Sequence, residues 1–195
     1  PFGALRLLGE SAGETTGDAA RDGHWLCADP VHLRFHHERI ILADAGAFDL
    51  DDDEARSLAG ALNETFADVG VFHVATSRRW YLRLHRPTAV TLYPLDDVTG
   101  RPVKHFLPEG EDARLWQRTM NEAQIVLHNH ARSRAREDAG RRAVNSVWLW
   151  GAGVLDTSPR APARQVQASD PIGIGLARAA GVSVGAPDPA AALAQ

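Results

Sequence analysis

Residues 121–153 read NEAQIVLHNHARSRAREDAGRRAVNSVWLWGAG, and the way this stretch divides decides the fold. Its first part continues an amphipathic helix to about Ala135, with Trp116, Met120, Ala123 and Leu127 on one stripe. A polar, arginine-rich connection follows and turns at Gly140. Residues 144–150 read as a buried strand, left through Gly151-Ala152-Gly153, where the lack of side chains lets a backbone or a ligand come close. His128, His130, Arg132, Arg134, Arg136, Arg141 and Arg142 precede the strand, and only Glu137 and Asp138 oppose them. The segment is therefore locally positive in a chain of net charge -4. Fixed cations beside a Gly-flanked strand end suit a small anionic ligand. An exposed helix end whose arginines complement the helix dipole accounts for the same residues. The residues alone favour this second reading.

Outward from this stretch, the long helix starts at Glu111 or Asp112, after a loop over 94–110 punctuated by Pro94, Gly100, Pro102, Pro108 and Gly110. Asn121 and Gln124 sit at the edge of its apolar stripe, where amides bridge, cap or orient a ligand. Two hairpins are expected upstream. In the first, residues 29–35 alternate: Val31, Leu33 and Phe35 point one way, His32 and Arg34 the other. Residues 36–38 turn and residues 39–43 return. In the second, residues 71–75 and 80–84 pair across Thr76-Ser77-Arg78. Trp80, Leu82 and Leu84 share one face; Arg79, Tyr81, Arg83 and His85 share the other, which is a solvent face by default or else the wall of a charged pocket. Between the hairpins Asp51 caps a helix, with Glu54 three residues on and an apolar face of Ala55, Leu58, Ala59, Leu62 and Phe66. Residues 90–93 are a further candidate strand.

Downstream, residues 165–169 form a strand, Asp170-Pro171 opens a helix, Gly181 closes it, and residues 182–184 form another strand, giving a parallel βα unit. The expected fold class is thus α/β with a mixed sheet: two β-hairpins, one long and two shorter helices, and a C-terminal parallel βα unit. A single domain is expected over 24–186, with a flexible N-terminal segment at 1–23 and a loose tail at 187–195.

Composition narrows the function. A hydrophobic fraction of 44% is that of a globular chain. A net charge of -4 is not the basic field of a nucleic-acid binder. The single cysteine, Cys27, leaves no internal disulfide framework and no zinc ribbon, and is read as a small buried apolar residue. No apolar run approaches the roughly 18 residues of a membrane span, and PFGALRLLGE lacks the plan of a signal peptide. A cytoplasmic protein is expected, without nucleic-acid or membrane partners. GxSxG, P-loop, GxGxxG and HExxH motifs are missing. His128 and His130, two apart, fall on different sides of a helix. Asp29 and His32 can meet across a turn, but one carboxylate and one imidazole do not make a metal site. No metal or cofactor is expected.

His130, Arg136, Gly140 and the run NSVWLWGAG (145–153) resemble a motif of the archaeal-type, cofactor-independent phosphoglycerate mutases, roughly HPVN-x-x-R, a Gly, then N-x-I-W-L-W-G-x-G. SDPIGIGLARAAGV (169–182) resembles the strand-helix return that follows there. ADPVHL (28–33), RWYLRL (79–84), MNEAQ (120–124) and NSVWLWG are similar to a bacterial family described as regulatory protein of RpfE type, phosphoglycerate-mutase-like. The departures matter. PVN is Ala131-Arg132-Ser133 here, and Asp22-Gly23 is only a shadow of the opening metal motif. The mutases belong to the alkaline-phosphatase superfamily, whose phosphoryl transfer uses two metals held by Asp and His and a Ser nucleophile.

The resemblance implies a ligand-handling part of such an architecture without that centre. It would be a non-catalytic or regulatory module for a small phosphorylated or carboxylated ligand, with His130, Arg136, Arg79, Arg83, Asn145, Asp29 and His32 as candidate contacts. An enzyme of phosphate-ester metabolism whose metal centre lies outside this segment, and a protein-interaction domain, remain the alternatives.

Overall fold

The structure, a computed structural model, describes residues 1–10, 20–47, 49–161 and 163–186. The tail expected at 187–195, and residues 11–19 of the expected N-terminal segment, lie outside the described residues.

One long strand organises the sheet. β1 (His24–His36) carries β5 (Ser146–Gly153) along one edge, from Trp25 to Val31. Two partners share its other edge: β4 (Arg79–Leu84) over 24–27 and β2 (Arg39–Asp44) over 31–36. β3 (Gly70–Thr76) pairs outside β4, and every pairing of this five-stranded sheet is antiparallel. Pro30, which has no N–H to donate, falls between the end of the β4 pairing at Cys27 and the start of the β2 pairing at Val31. A proline is tolerated at such a gap even in an interior strand. At the β1–β2 turn His37 and Glu38 take positive φ, 44° and 61°. Positive φ at both central residues matches a two-residue turn to the strand twist.

The alternation read at residues 31–35 belongs only to the far half of β1. Residues 25–31 are buried without a break, because both faces of the sheet are covered there. Leu26, Leu58, Leu62, Trp80, Leu82, Trp116, Leu127 and Leu149 belong to one core, beneath α2 (Asp52–Thr65) and α3 (Ala113–Asn129). Leu5, Leu7, Trp25, Cys27, Val31, Tyr81, Trp148 and Trp150 belong to the other, with α1 (Phe2–Glu10). As expected, Asp51 caps α2 by accepting from the Glu54 N–H at 2.7 Å.

Several expectations are corrected. Residues 2–10 of the expected flexible segment form α1, in which every residue from Gly3 to Leu8 is buried. A helix apolar nearly all round is stable only inside a protein, and the short patch at residues 5–8 is that helix. The default solvent face of β4 is covered at its centre, where Tyr81 is 0% exposed, whereas Arg83 and His85 on the same face are exposed as expected. The long helix does not run to Ala135. It ends at Asn129, and His130, with φ -67° and ψ 140°, separates it from α4 (Ala131–Asp138). Residues 90–93 make a single bridge, Thr91 to Glu109, rather than a strand. The C-terminal βα unit is present as β6 (Gln165–Gln167), α5 (Pro171–Ala179) and β7 (Ser183–Gly185), but its parallel pair forms a separate two-stranded sheet. Among the described residues no helix is long and apolar enough to cross a membrane.

α1 and α5 meet backbone to backbone. A Cβ at Gly175 would lie 1.8 Å from the Leu5 carbonyl oxygen, and one at Gly9 would lie 1.7 Å from that of Pro171. Gly175 is thereby explained as packing, whereas Gly173 lies against the Asp170 cap, to which its N–H donates at 2.7 Å. Gly175→Ala should lower the urea midpoint by an amount equivalent to about 1–3 kcal/mol. Gly60→Ala, in the interior of α2 with open space around it, should be neutral or stabilising by up to about 1 kcal/mol. Equal midpoints for the two variants would show that the helices do not touch there.

Candidate functional site: an apolar cleft between a hairpin and a helix

Asp29 lies at the centre of a buried network. Its oxygens accept from Arg6 Nη1 and Nη2 at 2.7 and 2.6 Å, and Oδ2 also accepts from Trp150 Nε1 at 2.8 Å. Arg6 donates further through Nε to Tyr81 Oη at 3.0 Å, and Tyr81 donates to Glu10 at 2.7 Å. Arg79 pairs with the same Glu10. Burial opposes the Arg6 charge, but the Asp29 carboxylate outweighs it and holds the guanidinium above its ordinary value. Burial also pushes the Glu10 carboxyl, the Cys27 thiol and the Tyr81 phenol upward. Asp29 and Arg79 are thus engaged in tying α1 to the sheet. Arg83 donates to the Asp22 carbonyl at 2.9 Å and its guanidinium lies over the Trp25 ring.

Arg136 is 1% exposed. It donates to Glu54 Oε2 at 2.6 Å, to Asp49 Oδ1 at 2.8 Å, to the Arg142 carbonyl at 2.7 Å, and to the Asp49 carbonyl. It therefore joins α4 to the N-terminal turn of α2. His130 caps α4, its Nδ1 accepting from the Arg132 N–H at 3.2 Å. Burial and then the neighbouring Arg132 charge push this imidazole below its ordinary value, which favours the neutral, accepting form.

Asn145 and His32 work as a pair of clasps. The Asn145 amide accepts from the Leu33 N–H at 2.7 Å and donates to the Leu33 carbonyl at 2.8 Å, extending the β1–β5 ladder by one side chain. His32 Nδ1 lies 2.8 Å from the Ala143 carbonyl. The seven candidate contacts therefore fall into separate places: Asp29 with Arg79 beneath α1, Arg83 at the start of β1, His130 with Arg136 around α4, and Asn145 with His32 beside Leu33.

Leu33 opens onto a cleft of about 410 Å³, between the β1–β2 hairpin, residues 103–108, α3 and the start of β5. Its walls are Leu33, Phe35, Ile40, Val103, Leu107, Met120 and Trp148. Trp148 gives its indole N–H to the Tyr93 carbonyl at 2.9 Å. Polar groups enter at a few points: Asn121 and Gln124 from α3, Ser146 from β5, and Glu38, Arg39 and Lys104. The side chains of Asn121, Gln124, Arg39 and Lys104 have no hydrogen-bond or ion-pair partner among the described residues. A volume of several hundred Å³, mostly apolar with a few converging polar groups, is the usual form of a small-molecule site. The amides of Asn121 and Gln124 were legible in the sequence at the stripe edge. Arg39, Lys104 and Ser146 carried no local signal, since loops and a hairpin bring them together.

A two-metal phosphoryl-transfer centre needs clustered carboxylates and imidazoles. Among the described residues no three His, Cys, Asp or Glu side chains are grouped so as to hold a metal ion. The described residues therefore do not fit such a centre.

Comparison with known proteins agrees with this architecture. The probable 2,3-bisphosphoglycerate-independent phosphoglycerate mutase of Geobacter sulfurreducens is 30% identical over 131 residues, covering 63% of this chain and 31% of that protein. The 2,3-bisphosphoglycerate-independent phosphoglycerate mutase 2 of Methanothermobacter thermautotrophicus is 33% identical over 144 residues, covering 70% of this chain and 35% of its own. The chain spans about a third of the length of these curated relatives. The solved cofactor-independent phosphoglycerate mutase from Thermoplasma acidophilum superposes with a TM-score of 0.53 over 97% of this chain and 51% of its own, at 17% identity, a likeness of fold alone. The family model of 2,3-bisphosphoglycerate-independent phosphoglycerate mutase matches residues 28–132. That match takes in more than half of the sequence, and the chain belongs to the 2,3-bisphosphoglycerate-independent phosphoglycerate mutase family.

Proposed function

We propose that this domain is a mutase-like module of the RpfE, regulatory type, which binds a small phosphorylated or carboxylated ligand and does not itself carry out phosphoryl transfer. The observation that carries the reading is the cleft beside α3, with Arg39 and Lys104 unpaired on its lining while the other candidate cations are engaged with protein acceptors. Unpaired arginine and lysine are the groups that grip carboxylate and phosphate oxygens. A second reading follows from the chain's spanning about a third of its curated relatives: the domain would complete a phosphate-ester enzyme whose metal centre other residues supply.

The test is ligand-dependent thermal stability. 3-Phosphoglycerate and inorganic phosphate are titrated into wild type and into Arg39→Gln/Lys104→Gln, whose exposed positions leave the fold alone. Wild type should gain melting temperature as a ligand passes its dissociation constant, and the double variant should lose that gain. No shift in either protein ends the reading for a phosphorylated ligand and leaves the carboxylated one. Equal shifts in both move the site elsewhere. Phosphoglycerate turnover by the purified chain with added Mn²⁺ would replace the module with an enzyme.

A further inference from the structure

We infer that the cleft beside α3 selects an acid with an apolar body, such as a medium-chain or aromatic carboxylate, rather than a fully polar phosphorylated metabolite. The inference rests on the proposed binding role and narrows its ligand. Phe35, Ile40, Leu107, Met120 and Trp148 present hydrocarbon and ring surface to whatever enters. A wholly hydrated molecule such as phosphoglycerate would give up water along those walls and receive no hydrogen bond for it. An alkyl or aryl body gains by the same burial.

The polar groups are placed for one acidic end. Arg39 and Lys104 supply two positive charges against the single Glu38, and Asn121 and Gln124 stand one helical turn apart on α3 with unpaired amides. Ser146 adds an independent sign. It lines the cleft and is 2% exposed, yet its hydroxyl reaches only the neighbouring Val147 carbonyl, at 3.4 Å. Good O–H···O bonds are nearer about 2.7–2.8 Å. A buried hydroxyl so weakly satisfied is suited to bind a group that enters the cleft. The Asn145 clasp on Leu33 holds that wall of the cleft beside Ser146.

Calorimetric titrations with octanoate, octanol, inorganic phosphate and 3-phosphoglycerate test this on wild type, Arg39→Gln/Lys104→Gln and Ser146→Ala, with circular dichroism confirming that each variant is folded. Wild type should bind octanoate saturably and at least about tenfold more tightly than octanol, since each charge-assisted hydrogen bond is worth about a factor of ten or more. The Arg39/Lys104 double variant should reduce octanoate to the octanol level, and Ser146→Ala should weaken octanoate several-fold. Octanol binding as tightly as octanoate, or octanoate binding unchanged in the double variant, would overturn the inference by showing an undiscriminating apolar surface. Tight, Arg39- and Lys104-dependent binding of 3-phosphoglycerate with no response to octanoate would overturn it too, while leaving the binding role standing. Silence toward all four probes would end both.

Discussion

Asp29→Ala is expected to remove about 3–5 kcal/mol of folding stability, because it leaves the Arg6 guanidinium buried without its counter-charge. The Arg6 side chain is 8% exposed and that of Asp29 is 1% exposed, so water cannot take the carboxylate's place. The same change also removes the acceptor of the Trp150 indole N–H. Asp29→Asn keeps the shape and an acceptor but not the charge, and should fall between wild type and Ala. Arg6→Met combined with Asp29→Leu removes both charges together. It should recover much of the loss, since a buried pair replaced by apolar groups of similar volume is often near neutral. Full recovery is not expected, because the Trp150 N–H would remain unpaired, at a cost of about 1–3 kcal/mol. The measurement is the urea midpoint and slope of the four proteins. An Asp29→Ala midpoint within experimental error of wild type would show that α1 is not held by this pair.

Arg136→Ala carries the second large effect, again about 3–5 kcal/mol. Glu54, whose side chain is 8% exposed, would lose its counter-charge, and the Arg142 carbonyl would lose its donor. Arg136→Lys should rescue little. One ammonium on a flexible stem cannot serve acceptors on α2, at residue 49 and at residue 142 with the geometry of a planar fork. Arg132→Ala, two residues from the His130 cap and exposed, should stay within about 0.5 kcal/mol of wild type.

A pH signature separates this role from simple packing. Arg136 hydrogen-bonds Asp49 and holds its carboxyl below the ordinary aspartate value. A carboxylate with a depressed folded value stabilises the fold above its unfolded value, about 3.9, and loses that contribution as pH falls through the folded value. NMR titration should therefore show Asp49 returning toward its ordinary value in Arg136→Ala. An unchanged Asp49 titration would mean that the hydrogen bond does not persist in solution.

The periodic parts of this protein were readable from its residues alone. The capped helix at Asp51, both hairpins, the stripe Trp116–Met120–Ala123–Leu127 and the parallel unit opened by Asp170-Pro171 are all present. Each depends on neighbours a few positions apart, so spacing and caps record it. Two readings fell short where a local pattern had two meanings. Arg79, Tyr81 and Arg83 on one side of a strand look alike, although Arg83 faces solvent while Tyr81 is sealed by contacts with Arg6 and Glu10 of α1 and Arg79 pairs with that same Glu10. The arginine run before Gly140 looks uniform, although Arg136 alone turns inward.

What decided those cases was pairing across distance. Arg6 meets Asp29 from 23 residues away and Arg136 meets Glu54 from 82. A charge in the middle of residues 5–8, and another before Pro30 in an apolar strand, were the available hints that buried partners existed. The cleft is the extreme case. Arg39, Lys104, Asn121 and Ser146 come from a hairpin, a loop, a helix and a strand, and none lies in a pattern that the others complete. Sequence determines which face of an element is apolar, because that is a matter of local period. Which charge is neutralised in the core, and which is left facing a cleft, depends on how the elements pack, and only the tertiary structure contains that.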